Sequence, residues 1–284
     1  MLVDLLHKQI RRRFRRFGFK DRFLSMGRFT LHSYERSPSV STNTLVLLHG
    51  LGTSSSTWVR ILPSLDPTWN VFALDLPGFG YSKIDSGPPF AGMNEMFQSV
   101  GAFIQERIPR PFTLLGHSLG GWLAAGVALE LGNKVRHLVL ADNAGILCEE
   151  TVEQGKAFQV ESVRDLAELL TKIWFRYPWY FKPFYRAVLN DLRKRHVAEF
   201  VRSIHANDFL NDRVRTLAVK TTIIWGKEDK LISMKSAEML MQSIPYAQLY
   251  SIERCGHVPQ LERPKEFVDI LQKVLWEQTA PVTV

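Results

Sequence analysis

The sequence predicts an α/β fold in which helices flank a mostly parallel central sheet, with a helical cap inserted between two of its strands. Between residues 44 and 140, short apolar runs alternate with helical segments, which is typical of parallel strands joined by right-handed crossovers. Over residues 147–217 the alternation stops, and polar and aromatic helical patterns replace it. We therefore predict an α/β core of residues 29–146 and 218–284 and a helical cap of residues 147–217.

The predicted core elements alternate along the chain. The strands are Thr44–Leu48, Asn70–Leu76, Phe112–Leu115, Val135–Leu140, Thr221–Trp225 and Gln248–Ile252. The helices are Trp58–Leu65, Asn94–Ile108, Leu119–Leu131, Ser233–Ser243 and Pro264–Trp276. Sites in open α/β sheets form at the carboxyl ends of the strands, so the cap is expected to lie over those ends.

The composition suits a globular protein rather than a disordered or fibrous one. The chain has 284 residues, of which 45% are hydrophobic and 23% are charged. Cys148 and Cys255 lie far apart in the sequence and form neither a disulfide framework nor a zinc pattern. This cysteine usage favours the cytoplasm or a reducing membrane face. The sequence has no metal-ligand set and no glycine-rich phosphate loop, so we predict neither metal nor cofactor.

Most of the positive charge lies in a basic N-terminal arm, residues 1–28. The arm holds nine Lys and Arg residues against two Asp residues, which is +7 of the net charge of +8. The remaining chain is nearly neutral. This distribution argues against a basic groove for nucleic acid in the catalytic body.

An apolar stripe runs along the arm. Leu2, Leu6, Ile10, Phe14 and Phe17 recur at steps of three or four residues, so a helix would place them on one face. Two interpretations remain open: residues 1–20 lie on an anionic membrane surface, or the stripe packs on the body. No uninterrupted apolar run follows the arginines, which argues against a signal peptide, and no run of 18 apolar residues predicts a membrane span.

The chemistry is indicated by Gly116-His117-Ser118-Leu119-Gly120, which follows an apolar strand and begins an Ala-rich helix. A G-x-S-x-G pattern in this context is typical of a nucleophile elbow. The flanking glycines leave room for a tight strand-to-helix turn, and the helix N-terminus favours negative charge at the reaction site. Ser118 is therefore the predicted nucleophile.

From Phe29 to the last helix, the chain resembles the α/β-hydrolase fold family, in particular serine esterases and bacterial lipases of the monoacylglycerol-lipase-like type. Four further segments carry this resemblance: His49-Gly50-Leu51-Gly52, Asp75-Leu76-Pro77-Gly78-Phe79-Gly80-Tyr81-Ser82, Gly226-Lys227-Glu228-Asp229 and Gly256-His257. They are similar to the family's oxyanion loop, its D-x-P-G-x-G-x-S turn, its acid loop and its histidine loop. The helical cap of this chain is predicted to follow the sixth main strand.

The resemblance implies a Ser-Asp-His catalytic triad of Ser118, Asp229 and His257. Serine is a poor nucleophile at neutral pH, so it needs a base such as His257, whose imidazole an acid must orient. The backbone N–H groups of Leu51 and Leu119 are the predicted oxyanion-hole donors.

Rival residues exist for the base and for the acid. His49 and His117 lie inside motifs and are expected to shape turns, and His205 lies in the cap. Asp142 follows the sixth strand, where some family members place their acid, but the acid-loop pattern favours Asp229. Asp75 is expected to stabilise its own turn.

The cap gives the only indication of the substrate. Residues 174–185 contain eight aromatic residues together with Arg176 and Lys182, which favours a membrane interface or an apolar entrance, although packing of the cap on the core explains the same pattern. Four of these aromatics are predicted to bind substrate: Trp174, Phe175, Trp179 and Phe181.

Ser118 argues against epoxide and halide chemistry, because relatives with those activities carry aspartate at the nucleophile position. The resemblance implies hydrolysis of carboxylic esters with apolar acyl chains, including monoacylglycerols, in lipid metabolism. The alternative is a C–C bond hydrolase of ring-cleavage products with the same triad, and a scaffold that has lost catalysis is a third hypothesis. The expected partners are a small-molecule or lipid ester and a membrane surface at residues 1–20, with no nucleic acid; the oligomeric state is open.

Overall fold

The computed structural model describes residues 2–41, 43–109, 111–149 and 151–276, without the side chains of residues 2–7, Val152 and Trp276. The strands are β1 (Lys20–Met26), β2 (Phe29–Arg36), β3 (Thr44–Leu48), β4 (Asn70–Leu74), β5 (Lys83–Ile84), β6 (Phe112–His117), β7 (Val135–Ala141), β8 (Thr221–Gly226) and β9 (Gln248–Ile252). The α-helices are α1 (Leu2–Arg16), α2 (Met93–Arg107), α3 (Leu119–Leu131), α4 (Thr151–Ala157), α5 (Val163–Ile173), α6 (Tyr185–Lys194), α7 (Val197–Arg202), α8 (Met234–Ser243), α9 (Pro259–Glu262) and α10 (Pro264–Trp276). Short 3₁₀ turns cover Ser55–Trp58, Leu62–Ser64, Gly132–Lys134, Trp179–Phe184, Ala206–Asp208 and Arg213–Thr216.

The strands form one sheet in the order β1-β2-β4-β3-β6-β7-β8-β9, and β5 pairs with β2 outside this path. The pairs from β4 across to β9 are parallel, whereas β2 is antiparallel to both β1 and β4. Apart from the two-residue β5, β7 is the sixth main strand, and the cap helices α4 to α7 lie between β7 and β8. The predicted fold class is confirmed.

Both faces of the sheet are buried. Alternate residues of β3 point to opposite sides, so Val46 and Leu48 pack with α2 and α3 while Leu45 and Leu47 pack with α10. This two-sided burial explains why β3 appears in the sequence as a continuous apolar run.

The N-terminal arm is not one helix. Lys20–Met26, which the prediction included in the arm, forms the edge strand β1, paired along its whole length with β2. In α1, Phe14 is fully buried and stacks on Tyr34 with ring centroids 3.9 Å apart. Ile10 and Phe17 pack on the same side of the core, so the described part of the stripe contacts the body. The side chains of Leu2 and Leu6 lie outside the described residues.

The predicted helix Trp58–Leu65 is wrong. Two 3₁₀ turns, Ser55–Trp58 and Leu62–Ser64, occupy this part of the chain instead. Ser54 begins the first turn by accepting a hydrogen bond from the backbone N–H of Ser56. Pro63 has no backbone N–H to donate, so an α-helix cannot continue through it without losing a hydrogen bond.

The cap bonds to the core at several points. The indole of Trp122 on α3 donates to the carbonyl of Asp208, and Leu210 N–H donates to the carbonyl of Gly145. The predicted boundaries of arm, core and cap stay predictions. Among the helices described, none combines the length and the apolar composition that crossing a bilayer requires.

Candidate active site

Ser118 lies between β6 and α3 with φ 54° and ψ −119°. A positive φ is strained for a residue with a side chain, and such strain is typical of functional sites. Two glycines make the turn possible. A Cβ atom at Gly116 would lie 2.1 Å from the carbonyl oxygen of Gly120, and one at Gly120 would lie 2.3 Å from that of Leu48. The pattern of the motif is therefore a steric requirement of this turn.

Ser118, His257 and Asp229 form a hydrogen-bonded chain. The distance from Ser118 Oγ to His257 Nε2 is 2.9 Å, and that from His257 Nδ1 to Asp229 Oδ2 is 2.7 Å. All three residues are buried. An arrangement of this kind can move the hydroxyl proton to the imidazole while the carboxylate orients the ring and stabilises its charged form.

The three residues come from separate loops. Ser118 follows β6, Asp229 follows β8 and His257 follows β9. The second carboxylate oxygen of Asp229 accepts the backbone N–H groups of Leu231 and Ile232 at 2.8 and 3.0 Å. These bonds fix the carboxylate, so its orientation does not depend on the histidine alone.

Asp142 lies beside this chain but does not bond to the imidazole. Its Oδ1 accepts the backbone N–H of Gly226 at 2.8 Å, and its Oδ2 has no hydrogen-bond partner among the described residues. Burial, and next the charge of Asp229, raise the pKa of Asp142 well above its ordinary value. The geometry thus joins His257 to Asp229, the favoured acid, rather than to Asp142.

Asp142, Asp229 and His257 are also the one described group of side chains whose spacing could suit a metal ion. Their ligand atoms lie within 4.8 Å of one another. However, both nitrogens of His257 already contact Ser118 and Asp229, and Asp229 also accepts two backbone amides. A bound metal would have to break the hydrogen bond between His257 and Asp229, so these residues fit a proton path better than a metal site.

His49 and His117 hold backbone around the site. His49 donates from Nδ1 to the carbonyl of Gly50 at 2.8 Å, and its Nε2 accepts the N–H of Leu76 at 2.9 Å. His117 donates from Nε2 to the carbonyl of His257 at 2.6 Å. Desolvation by burial lowers the pKa of His49 to about 4 and that of His117 to about 3. Both rings are therefore neutral near pH 7.

The residues predicted to supply the oxyanion donors lie at the cavity of Ser118. Leu51 and Leu119 both line the cavity that contains Ser118. Leu119 is the first residue of α3, so its N–H has no acceptor inside that helix. The loop that carries Leu51 comes close as well, since a Cβ atom at Gly50 would lie 3.1 Å from Ser118 Cβ. The assignment of the backbone amides of Leu51 and Leu119 to an oxyanion hole stays a prediction.

A cavity of about 440 Å³ extends from Ser118 between the core and the cap. Its apolar lining comes from several segments and includes Leu51, Leu119, Trp122, Ile146, Leu147, Phe158, Phe200, Val201, Ile204, Phe209, Leu231 and Ile232. Its cationic or titratable lining residues are Lys156 and His205, and the amine of Lys156 is 2.7 Å from Glu153 Oε1. The cavity suits an apolar group better than an anionic one.

The four aromatics that were predicted to bind substrate lie elsewhere, and this corrects the sequence-based assignment. Trp174, Phe175, Trp179 and Phe181 are absent from the described cavity lining. Trp179 has 75% of its surface exposed and Phe181 has 38%. A dense aromatic run does not show which way each ring points, and here part of it faces outward.

Four other aromatic residues line the cavity, and the sequence pattern did not predict them: Trp122, Phe158, Phe200 and Phe209. The rings of Trp122 and Phe209 stack with centroids 4.8 Å apart. Trp122 could have been found, because it follows Ser118 by four residues on the helix that the elbow begins. The other three come from the cap, where only the folded arrangement brings them to the cavity.

Comparisons with known proteins agree with this fold. Residues 45–270 match the model of the Alpha/beta hydrolase family. The chain is 25% identical over 253 residues to a 2-hydroxy-6-oxononadienedioate/2-hydroxy-6-oxononatrienedioate hydrolase of Escherichia coli, which spans 82% of this chain and 86% of that protein.

Two solved structures are similar over almost the whole chain. One is a membrane phospholipase A described as a bacterial virulence factor, with a TM-score of 0.83, 26% identity and coverage of 98% of this chain and 93% of that one. The other is a candidate lipase from Acinetobacter baumannii, with a TM-score of 0.81, 24% identity and coverage of 96% and 95%. The second likeness concerns the fold alone.

Proposed function

The chain belongs to the alpha/beta hydrolase family, and we propose that it is a serine hydrolase of carboxylic esters with apolar acyl chains. Ser118 is the proposed nucleophile, His257 the base and Asp229 the acid. Lipid esters, including monoacylglycerols, are the proposed substrate class. No metal or cofactor has a part in this mechanism.

The mechanism starts when Ser118 Oγ attacks the ester carbonyl while its proton passes to His257 Nε2 over the 2.9 Å contact. Asp229 accepts the hydrogen bond from Nδ1–H and stabilises the imidazolium. The amides of Leu51 and Leu119 bind the oxyanion of the tetrahedral intermediate. The imidazolium then protonates the leaving alkoxide, and water, deprotonated by His257, releases the acid from the acyl-enzyme.

The observation that carries the proposal is the apolar cavity that contains Ser118. An acyl chain needs a cavity that removes methylene groups from water, at about 0.8 kcal/mol for each buried CH₂. The carboxylate of a ring-cleavage product would instead need an unpaired cation. In the described lining, Lys156 is already paired with Glu153. The name of the structurally similar phospholipase A gives further support.

The alternative is a C–C bond hydrolase of ring-cleavage products. It is favoured by the sequence relatives, which include a dienedioate hydrolase with 25% identity. Both reactions would use the same nucleophile and base. A panel of p-nitrophenyl esters, monoacylglycerols and a dienone acid separates them, because we expect turnover of the esters and at most slow turnover of the acid. Faster cleavage of the dienone acid would contradict the proposal.

The role of the cavity is tested with Val201→Phe. Val201 lines the cavity and is half-buried, so the larger ring should shorten the space for an acyl chain. We expect kcat/KM for an octanoate ester to fall by about tenfold relative to an acetate ester, which is about 1.4 kcal/mol. Val188→Phe is the matched control, because Val188 is 39% exposed and lies outside the described cavity lining. An equal ratio of octanoate to acetate kcat/KM in both variants would rule out binding of the acyl chain in this cavity.

Labelling tests whether Ser118 is the nucleophile at all. A fluorophosphonate probe should label the wild-type chain and not Ser118→Ala, because the probe bonds to an activated serine. Labelling that persists in Ser118→Ala would assign the nucleophile to another residue, and absent labelling of the wild type would favour a non-catalytic scaffold.

A further inference from the structure

The cap carries an exposed aromatic cluster, which we define as Trp179, Tyr180 and Phe181. Their exposed fractions are 75%, 59% and 38%. The rings form one patch, since the centroids of Trp179 and Tyr180 are 6.2 Å apart and those of Tyr180 and Phe181 are 5.1 Å apart. Large adjoining apolar side chains in water are costly, and on a protein surface they mark an interaction site.

The aromatic cluster packs on further aromatic side chains of the cap. The ring of Phe181 contacts those of Tyr177 and Phe184, with centroids 6.5 and 6.1 Å away. Tyr177 in turn contacts Tyr185, which is buried in the core with 8% of its surface exposed. The exposed rings are therefore the outer end of a packed aromatic group.

The chain segment that carries the cluster has charges of one sign. From Leu169 to Asn190 the chain contains Lys172, Arg176, Lys182 and Arg186 and no Asp or Glu. All four cations are exposed. In the part of the chain that the structure describes, none of them forms an ion pair. The half-buried carboxylate of Glu262 approaches this segment, but it accepts the backbone N–H groups of Phe175 and Arg176.

We propose that the aromatic cluster and the three cations nearest to it in the chain, Arg176, Lys182 and Arg186, form a docking surface for an anionic lipid bilayer. Trp and Tyr rings favour the boundary between lipid headgroups and acyl chains, and Lys and Arg side chains are attracted by anionic headgroups. The combination of both chemistries in one short segment selects a bilayer over a purely apolar partner. This inference goes beyond the proposed function, because it concerns binding and holds for any substrate.

The docking surface proposed on the cap differs from the membrane contact that the sequence predicts at residues 1–20. In α1 the described apolar side chains already pack on the body, and Arg11 and Arg15 contact Asp21 at 2.7 and 3.2 Å. In the cap segment, by contrast, the aromatic rings are open to solvent. The segment that carries the surface is also tied to the site, since the backbone carbonyl of Ile173, at its start, accepts the N–H of His257 at 2.7 Å.

Co-sedimentation with vesicles tests the proposal. The full chain should bind vesicles of phosphatidylglycerol and phosphatidylcholine in equal parts, more weakly at high salt. Trp179→Asn with Tyr180→Asn, and separately Lys182→Glu with Arg186→Glu, should each weaken binding by about tenfold or more. Tyr246→Asn is the matched control, because Tyr246 is a 91% exposed aromatic outside the cap, and it should bind as the wild type does.

Thermal unfolding and turnover of a water-soluble ester are measured for every variant. Unchanged values with lost vesicle binding support the docking surface, and they separate it from the hydrolase proposal. Three results would overturn the inference: no binding by the wild type, equal binding by wild type and both cap variants, or loss of binding only in Arg12→Glu with Arg13→Glu on α1. A wild-type dimer that the aromatic variant dissociates, without vesicle binding, would assign the surface to a second copy instead.

Discussion

His49, His117 and His257 are all buried, but their ring nitrogens contact different groups. His49 and His117 bond to backbone atoms, and burial depresses the pKa of each. His257 instead bonds to a hydroxyl and a carboxylate. Only this third arrangement gives an imidazole both a proton source and a group that stabilises its charged form. The two neutral rings hold the loops in place.

Substitution of the two aspartates separates their roles. Asp229→Asn should lower kcat by about 10⁴, because the amide cannot stabilise the imidazolium and favours the wrong tautomer of His257. Asp142→Asn should keep activity within about tenfold, because Asp142 accepts the backbone N–H of Gly226 and does not bond to His257, whose Nδ1 contacts Asp229. Steady-state kinetics on one soluble ester measures both. A comparable loss in Asp142→Asn would make Asp142 the acid.

The residues of the proposed triad were accessible from the sequence because each lies in a short local motif. Ser118 has flanking glycines that the turn requires, Asp229 follows the buried strand β8, and His257 follows β9 directly after a glycine. The aromatic residues that line the cavity were not accessible from the sequence. Phe158, Phe200 and Phe209 lie in a cap with no local motif, and their common cavity results from packing.

Helix α3 is the element that joins the sheet to the nucleophile. It is buried nearly all round, and its first turn packs directly against the end of β3. The two surfaces approach so closely because Gly120 has no side chain. The position of Ser118 therefore depends on a backbone contact between a helix and a neighbouring strand.

Two glycine substitutions test this contact. Gly120→Ala should destabilise the fold by about 1–3 kcal/mol and reduce labelling of Ser118, because its Cβ would lie 2.3 Å from the carbonyl oxygen of Leu48, a backbone atom that cannot move aside easily. Gly101→Ala in α2 is the control. Its Cβ would meet its nearest neighbour, Glu130 Oε2, at 3.9 Å, so the helix should gain about 0.5–1 kcal/mol.

Urea unfolding measures both stabilities. A neutral effect of Gly120→Ala would mean that the start of α3 can shift away from β3, and the close contact would then have no role in placing Ser118.

Most of the strands that the sequence predicted are buried on both faces, as β3 is, and a continuous apolar run marks the bounds of β3. β9 also has the predicted bounds, although Ile252 is its one buried residue. β1 and β2 were missed for a physical reason. β1 is an edge strand with mostly exposed residues, and β2 buries polar residues such as His32 and Glu35. The one local indication was Gly27, whose φ of 60° suits the two-residue hairpin turn between them.

Buried neutral histidines make the stability of the whole molecule dependent on pH. The pKa of His49 falls from 6.5 to about 4, and that of His117 to about 3. Below the ordinary value the unfolded chain binds protons that the folded chain cannot. Their contribution to stability is therefore complete above pH 6.5 and is lost as the pH falls through that value toward the folded pKa.

We expect the free energy of unfolding to fall by about 1.4 kcal/mol per pH unit for each of these histidines as the pH drops from 6.5 toward about 4. Urea titrations at several pH values measure this slope. His49→Gln should reduce it by one histidine's share, whereas His196→Gln, a change at a half-exposed side chain, should leave it unaltered. An unchanged slope in His49→Gln would contradict the assignment of a neutral buried ring.

The bonds between the cap and the His257 loop have a consequence for how such proteins diversify. The loop is held through the carbonyl of Ile173 and through Glu262, which accepts the N–H groups of Gly256, Phe175 and Arg176. On the cap side, every one of these contacts is made by main-chain atoms. Side chains of the cap can therefore change during evolution, and the substrates that enter the cavity can change with them. The backbone bonds to the cap keep the imidazole of His257 in place throughout.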